Sequence, residues 1–219
     1  MELMTVDRYH QTRLPFDPRR EVLWRALWKF HFSKYIGPSD CVLDLGSGYC
    51  NFINNVKAAR RIAVDRWPGF VEHLTGGVEG RVGNASDLSF LADRSVDFAF
   101  ANNLIEHLTK QEFATLLSGL REKLTHRGVF AAIQPNYRYA YKEYFDDYTH
   151  VTVYSHESLC DFLEANAFWI VECIPRFMPL TLKDSRLIVS ESLIRLYLNL
   201  PVKPLGKQMF VMAKPGKVS

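Results

Sequence analysis

The stretch "CVLDLGSGYCN", from Cys41 to Asn51, decides the fold of this chain. It begins with a short, nearly all-apolar run, which is typical of a strand buried in a parallel sheet. A loop with glycine at positions 46 and 48 follows, and glycine lets a backbone turn tightly and lets a ligand approach it. Ligands of open parallel sheets bind beyond the carboxyl ends of the strands. The stretch therefore predicts a strand, a ligand-binding loop and a helix, in that order.

Further apolar runs follow the first one and alternate with helical patterns along the chain. The later strands are predicted at 61–64, 81–82, 96–101, 129–133, 168–174 and 208–213, and the helices at 19–36, 51–59, 111–124 and 155–166. Strands that alternate with helices indicate a parallel sheet covered on both faces. We therefore expect an α/β, Rossmann-like fold with a seven-stranded, mostly parallel sheet, an N-terminal helical arm and an insertion before the last strand.

The size of the chain, 219 residues with 47% hydrophobic residues, suits one domain with a large core. Within it we expect a helical arm at 1–38, a cofactor-binding core at 39–136, an acceptor-side lid and insertion at 137–205, and a last strand and tail at 206–219.

Charge, cysteines and apolar runs limit the classes of partner. A net charge of +3 without a long basic run gives no sign of nucleic-acid binding. No apolar stretch has the length of a membrane span, and the N-terminus lacks the apolar core of a signal peptide. The four cysteines form no C-x-x-C pair, so no zinc site is expected from them. We expect a reduced, cytoplasmic protein with no integral membrane segment.

The kind of ligand follows from a missing glycine and from two acids. A dinucleotide fingerprint has a third glycine where this chain has Asn51, and a phosphate loop needs a lysine that is absent here. Asp44 lies inside the apolar strand, and Asp65 ends the next strand about 20 residues later, where an acid accepts hydrogen bonds from ribose hydroxyls. An adenosine-type ligand without phosphates is indicated, and S-adenosylmethionine fits. A plain strand–helix turn is the alternative.

Five motifs in order carry a resemblance to a known family. "VLDLGSGYC", "AVDRW", "VGNASDLSF", "VDFAFANNLIEHL" and "GVFAAIQPN" resemble the successive motifs of class I S-adenosylmethionine-dependent methyltransferases. "HVTVYSHESLCDFLEANAF" and "GKQMFVMAKP" resemble the family's last helix and strands, and the last third resembles enzymes of sugar and polysaccharide assembly. Cys50 stands where the family usually has glycine, and Asn84 stands where it usually has aspartate.

The resemblance implies a role for each matching residue. The expected cofactor-binding residues are Asp44, Gly46, Ser47 and Gly48 at the amino-acid portion, Asp65 at the ribose hydroxyls, Arg66 and Trp67 beside the adenine, Asn84 and Ala85 at the adenine edge, and Asn102 facing the sulfonium. For Asn84 and Asn102, ordinary loop capping is the alternative.

Candidate general bases are two histidines, His107 after the fourth strand and His150 after the fifth. Packing at His107 and loop capping at His150 are the alternatives. The tyrosine-rich segment 137–150 offers flat apolar faces with polar tips, which suit a ring or sugar acceptor. Asp146 and Asp147 with His150 form a conceivable metal trio, but adjacent carboxylates are more often solvated, so no metal is expected.

The leading hypothesis is methyl transfer to a small-molecule acceptor, at a hydroxyl of a sugar or glycan. Its alternative is a non-catalytic module that binds S-adenosylmethionine or S-adenosylhomocysteine and regulates a partner. A nicotinamide-dependent oxidoreductase is disfavoured by Asn51. The mostly apolar helix expected at 187–200 either packs within the chain, pairs two subunits as a homodimer, or touches a membrane-bound acceptor.

Overall fold

The computed structural model describes residue 9, residues 12–179 and residues 189–216. The strands are β1 (Cys41–Leu45), β2 (Arg60–Asp65), β3 (Val78–Val82), β4 (Val96–Asn102), β5 (Leu124–Pro135), β6 (Phe168–Pro179) and β7 (Gly206–Pro215). The α-helices are α1 (Arg19–Phe30), α2 (Asn51–Asn55), α3 (Lys110–Lys123), α4 (Tyr137–Ala140), α5 (His156–Ala165) and α6 (Glu191–Asn199). The sheet is seven-stranded, in the order β3-β2-β1-β4-β5-β7-β6.

The chain forms two compact units. One comprises Met1–Ala85 with Thr181–Pro201, and the other comprises Ser86–Leu180 with Val202–Ser219. The expected organisation as one domain with boundaries near 38, 136 and 205 stays a prediction, and residues 1–8, 10 and 11 of the expected arm lie outside the described residues.

The first unit is built on three parallel strands, since β1 pairs with β2 and β2 pairs with β3. All five residues of β1 are buried, as the apolar run predicted. The aromatic rings of Trp24 and Phe32 pack against Phe52 of α2, with ring centroids 5.7 and 5.0 Å apart. This packing holds the N-terminal helix against the helix that follows the glycine loop.

The second unit combines a parallel and an antiparallel part. β4 pairs with β5 in parallel, whereas β7 pairs antiparallel with both β5 and β6. Capping boxes start α3 at Thr109 and α5 at Ser155, so both helix starts are fixed by side-chain hydrogen bonds. Phe113 of α3 stacks on Phe162 of α5 at 5.3 Å between ring centroids. The mostly parallel α/β sheet expected from the sequence is confirmed.

Several elements differ in length from the prediction. The helix expected at 19–36 ends as an α-helix at Phe30 and continues as a short 3-10 turn, Phe32–Lys34, because His31 leaves the helical conformation. The helix expected at 51–59 stops at Asn55, since Val56 is extended. β6 and β7 run several residues beyond their expected ends, because each is the other's antiparallel partner.

The insertion contributes α6, which lies in the first unit and contacts α1. Glu191 accepts hydrogen bonds from Arg25, 2.7 Å from Nε, and from Lys29, 3.4 Å from Nζ. Arg195 lies over the ring of Phe30 at 5.5 Å. The helix expected at 187–200 thus begins only at Glu191, and residues 187 and 188 lie outside the described part. Over the described residues, none of the helices combines the length and the apolar character needed to cross a membrane.

Candidate active site

The glycine loop after β1 has a fixed shape. Gly46 and Gly48 adopt left-handed backbone angles, with φ of 71° and 49°, which suit glycine. The amides of Gly46 and Ser47 both donate to the carbonyl of Val64, at 2.9 and 3.1 Å. The loop is therefore fastened to the carboxyl end of β2.

The carboxylate of Asp65, at the end of β2, is held by backbone amides. Gly48 donates to Oδ2 at 2.7 Å, and Trp67 donates to Oδ1 at 2.8 Å. A carboxylate has more lone pairs than these two bonds use. The group thus keeps its place beside the loop and can still accept hydrogen bonds from a pair of hydroxyls.

Asp44 is the buried acid of the first unit, with 2% of its surface exposed. Burial, and then the charge of Asp65, raise the pKa of Asp44 to about 8, while hydrogen bonds from Ser47 and Ile53 lower it only in part. Asp44 therefore retains its proton at neutral pH, and a nearby cationic group would favour the ionised form. Burial also raises the pKa of Asp65, against the opposing effect of the Trp67 and Gly48 amides.

Cys50, which departs from the family's glycine, fits its position at a modest conformational cost. Its φ of 59° is left-handed, which costs a non-glycine residue about 1–2 kcal/mol. The side chain is fully buried, and Sγ lies 3.6 Å from the carbonyl of Phe70 and 3.7 Å from that of Gly48. Burial raises the pKa of the Cys50 thiol, which stays neutral.

An aromatic cluster beside the loop was missed by the sequence reasoning. Trp67 packs edge-on against Tyr49 at 5.2 Å between ring centroids, and His73 lies 4.8 Å from Tyr49 and 5.6 Å from Trp67. A Cβ on Gly69 would lie 2.6 Å from the Trp67 ring, so a larger residue there would displace the ring. Tyr49 lies inside the glycine loop, which was the available signal, whereas nothing in the sequence pointed to His73.

The remaining expected adenine contacts follow β2 and β3. The amide of Gly83 donates to the carbonyl of Asp65 at 2.8 Å, which places Asn84 directly after that contact. The side chain of Asn84 is exposed, Ala85 is buried and Arg66 is exposed. The first unit thus brings the loop, Asp44, Asp65 and Trp67 together, with Asn84 following at the end of β3.

Asn102 ends β4 in the second unit and is half-buried. The next residue, Asn103, has a left-handed φ of 48°, and its amide donates to the carbonyl of Ile133 at 2.8 Å. Its side-chain oxygen accepts from Gln208 at 2.9 Å. These bonds fix the turn that positions Asn102 at the carboxyl end of its strand.

The two candidate bases, His107 and His150, lie side by side in the second unit, with ring centroids 4.9 Å apart. His107 ends the 3-10 turn Ile105–His107 rather than beginning a helix, and α3 starts only at Lys110. Burial, and then His150, lower the pKa of His107 to about 4. The His107 imidazole is therefore neutral at physiological pH.

Glu106, which the sequence reasoning passed over, completes this histidine cluster. Its side chain is fully buried, and burial, together with the charge of Asp147, raises the pKa of Glu106 to about 8. Possible ligand atoms of Glu106, His107 and His150 all lie within 4.8 Å of one another. Asp146 of the trio weighed earlier is exposed and is not in this group. A carboxyl inside the apolar stretch "LIEHL" was the available signal.

Comparisons with known proteins agree with the fold. Residues 43–132 match the family model of the methyltransferase domain. No curated protein matches the chain. Solved structures similar to it include an S-adenosylmethionine-dependent methyltransferase from Archaeoglobus fulgidus, with a TM-score of 0.69, 21% identity, and coverage of 96% of this chain and 99% of that one.

Two further similar structures carry more specific descriptions. A geranyl diphosphate C-methyltransferase from Streptomyces coelicolor A3(2), in complex with Mg²⁺, geranyl diphosphate and S-adenosylhomocysteine, has a TM-score of 0.62 and 16% identity, and the match covers 87% of this chain and 78% of that one. A methyltransferase described as a possible histamine N-methyltransferase, from Thermotoga maritima, has a TM-score of 0.60 and 17% identity, with 96% and 94% covered. At these identities the likeness establishes the fold.

The matched residues, 43–132, contain β2, β3, β4 and most of β1, and with them Asp44, Asp65 and the glycine loop. The matched domain model and the similar fold support the expected S-adenosylmethionine-dependent methyltransferase, with S-adenosylmethionine as its cofactor.

Proposed function

We propose that this methyltransferase acts on a small-molecule acceptor, at a hydroxyl of a sugar or glycan. The observation that carries the proposal is the contact between His107 and His150 in the second unit, since a hydroxyl acceptor must lose a proton and the neutral imidazole of His107 can take it.

The residues of the first unit fit S-adenosylmethionine, and we assign them its parts. The carboxylate of Asp65 accepts from the ribose hydroxyls while the amides of Gly48 and Trp67 hold it in place. We assign Asp44 to the cationic amino group of the cofactor, because that charge would favour the ionised form of this buried acid. The remaining assignments are Gly46 and Ser47 at the amino-acid portion, Arg66 and Trp67 beside the adenine, Asn84 and Ala85 at its edge, and Asn102 facing the sulfonium.

The cofactor supplies a methyl group on a sulfonium, which is an excellent leaving group. The chain's own contribution is to align the acceptor, exclude water and remove the hydroxyl proton. Alignment lowers barriers by roughly 7–11 kcal/mol in favourable systems, and a general base adds about 10²–10⁴-fold. Asp147, whose Oδ2 lies 4.0 Å from Nε2 of His150, would stabilise the imidazolium formed by proton transfer.

Exposed aromatic side chains in segment 137–150 support a ring-shaped acceptor. Tyr141, Phe145 and Tyr148 leave 56%, 59% and 66% of their surface exposed. Flat aromatic faces with polar tips pack well against the apolar face of a sugar ring.

All four cysteines are free thiols, which supports a reducing compartment such as the cytoplasm.

Turnover tests this proposal against the non-catalytic alternative. We expect methyl-labelled S-adenosylmethionine to label acceptors from a panel of sugars and lipid-linked glycans, and His150→Gln to lower kcat by about 10²–10⁴-fold with unchanged affinity for S-adenosylhomocysteine. His126→Gln, at an exposed histidine, serves as the control and should behave as wild type. Tight cofactor binding without labelling of any acceptor would favour the regulatory module. Equal effects of the two variants would contradict the base assignment.

We also propose that α6 pairs two copies of the chain. Leu193 and Leu196 lie on one face of this helix and are 51% and 60% exposed, while the opposite side carries the contacts with α1. Sedimentation of the wild type should give the mass of a dimer, and a Leu193→Glu/Leu196→Glu double variant should sediment as a monomer. Val202→Glu, at another exposed apolar residue, should leave the dimer intact. A monomeric wild type would contradict the proposal.

A further inference from the structure

Two distant segments of the second unit are fastened together around Glu106. The amides of Val151 and Thr152 both donate to the backbone carbonyl of Glu106, at 2.9 and 3.2 Å. The hydroxyl of Thr152 donates to the carbonyl of Leu108 at 2.7 Å. The turn after β4 and the segment that carries His150 therefore form one fixed local structure.

The cost of burying the Glu106 carboxyl is not offset by a hydrogen bond from another described residue. It is fully buried, and within the described residues neither of its oxygens has a hydrogen-bond partner outside its own residue. Burying a polar group without a partner costs roughly 2–7 kcal/mol, and such groups in native proteins call for an explanation such as an unseen ion. A cation bound at this carboxyl would supply the missing interaction.

The hydrogen bonds of His107 determine which of its nitrogens carries the lone pair. Nδ1 lies 3.3 Å from the carbonyl oxygen of Thr149 and 3.0 Å from its hydroxyl. The carbonyl only accepts, and the hydroxyl donates its own hydrogen to Asp147 at 2.5 Å. Nδ1 must therefore carry the ring proton, which leaves the lone pair on Nε2.

A carboxylate lies near the ring of His150. Oδ2 of Asp147 lies 4.0 Å from Nε2, which favours a proton on that nitrogen and the lone pair on the buried Nδ1. Metal-bound histidines usually donate their second ring N–H to a carboxylate or a backbone carbonyl. His107 has such a hydrogen bond, to the carbonyl of Thr149, whereas the Asp147 carboxylate acts on His150 by its charge, across 4.0 Å.

We propose that Glu106, His107 and His150 bind a divalent transition-metal ion. Their possible ligand atoms lie within 4.8 Å of one another, and binding one ion at zinc–ligand distances of about 2.0–2.2 Å would draw them closer together. Two imidazole nitrogens and one carboxylate oxygen suit Zn²⁺, Fe²⁺ or Mn²⁺ better than Mg²⁺ or Ca²⁺. Three protein ligands leave coordination positions open, as in catalytic sites.

The ion would change how the acceptor is activated. In the metal-bound chain His107 and His150 would be ligands and no longer bases. The ion would lower the pKa of an acceptor hydroxyl bound at an open position, so that water could take its proton. This role rests on the proposed transfer to a hydroxyl, whereas the binding of the ion does not.

Titration of the chelator-treated full chain tests the site. We expect calorimetry to show tight binding of one Zn²⁺ per chain and much weaker binding of Mg²⁺, and Co²⁺ to give visible absorption bands. Glu106→Gln and His150→Ala should each weaken Zn²⁺ binding by more than about 100-fold, since even loss of a supporting residue costs 10–100-fold. The near-isosteric Glu106→Gln variant limits the risk of misfolding, and thermal unfolding checks it.

Control variants distinguish this site from other side chains that could bind the metal ion. His126→Gln should bind Zn²⁺ as the wild type does, and so should Cys160→Ser, which removes the thiol that hydrogen-bonds with Cys173. Sulfur-to-cobalt absorption in the near ultraviolet, or wild-type affinity in both site variants, would overturn the proposal, as would a wild type that binds no ion. Binding of S-adenosylhomocysteine to the metal-free chain should persist, so loss of that binding would count against the methyltransferase assignments alone.

Discussion

Replacing Asp65 with alanine is expected to weaken the binding of S-adenosylhomocysteine by roughly 10²–10⁴-fold. Two ribose hydroxyls would each lose a hydrogen bond to a charged acceptor, and each such bond contributes about 1.5–3 kcal/mol. The change also removes the acceptor for the Gly48 and Trp67 amides, at 2.7 and 2.8 Å, so the loop loses one of its hydrogen bonds to the end of β2. Calorimetric titration with S-adenosylmethionine, S-adenosylhomocysteine and NAD measures the effect.

Two further variants make this experiment specific. Asp65→Asn keeps the shape and one acceptor oxygen but loses the charge, so its affinity should fall between those of the wild type and Asp65→Ala. Glu72→Ala removes an exposed acid of the same unit and should change nothing. Unchanged affinity in Asp65→Ala would overturn the ribose assignment, and binding of NAD by the wild type would revive the oxidoreductase hypothesis.

The proximity of Asp44, the glycine loop and Asp65 was predictable because its signals are local. Asp44, the glycine loop and Asp65 each lie at or next to the end of an apolar run, and parallel pairing brings the carboxyl ends of neighbouring strands to one edge. Strand order and residue type were therefore enough to indicate an adenosine-type ligand. The lengths of β6 and β7 were not predictable in this way, because each strand is extended by pairing with the other.

The histidine cluster depends on contacts between segments more than 40 residues apart. The sequence marked His107 and His150 singly, but their ring contact arises from the hydrogen bonds between Glu106 and the segment at 151–152. Glu106 was passed over because a carboxyl next to a histidine reads as an ordinary polar pair until its burial is known. The contacts of His73 with Tyr49 and Trp67 likewise require the folded loop.

Replacing Asp44 with asparagine should stabilise the ligand-free protein at neutral and alkaline pH. The pKa of Asp44 is about 8 in the folded chain against an ordinary 3.8. In the unfolded chain the carboxyl ionises above pH ~4, while in the folded chain it keeps its proton until about pH 8. Stability from this group is therefore fully present below pH ~4 and is lost as the pH rises to about 8. Asparagine does not titrate, so this loss disappears.

The size of the effect follows from linkage. A pKa shift of this size lowers the free energy of unfolding of the wild type by about 5 kcal/mol between pH ~4 and pH ~8. The buried asparagine amide, which lacks some of its hydrogen bonds, reduces the gain of the variant by about 1–3 kcal/mol. We expect Asp44→Asn to be roughly 2–4 kcal/mol more stable than the wild type at pH 8 and no more stable at pH 4. Urea unfolding across this range measures both values. Because the pKa of Glu106 is also about 8, the stability of the variant still depends on pH to some extent.

The same variant should bind S-adenosylhomocysteine more weakly, because the neutral amide cannot pair with the cationic amino group of the ligand. Asp161→Asn, at an exposed acid, should match the wild type in both stability and affinity. An Asp44→Asn variant that is less stable than the wild type at pH 8 would contradict the buried, protonated state of this carboxyl. A stabilised variant with wild-type affinity would instead show that Asp44 does not bind the ligand. The buried acid would then only lower the stability of the chain.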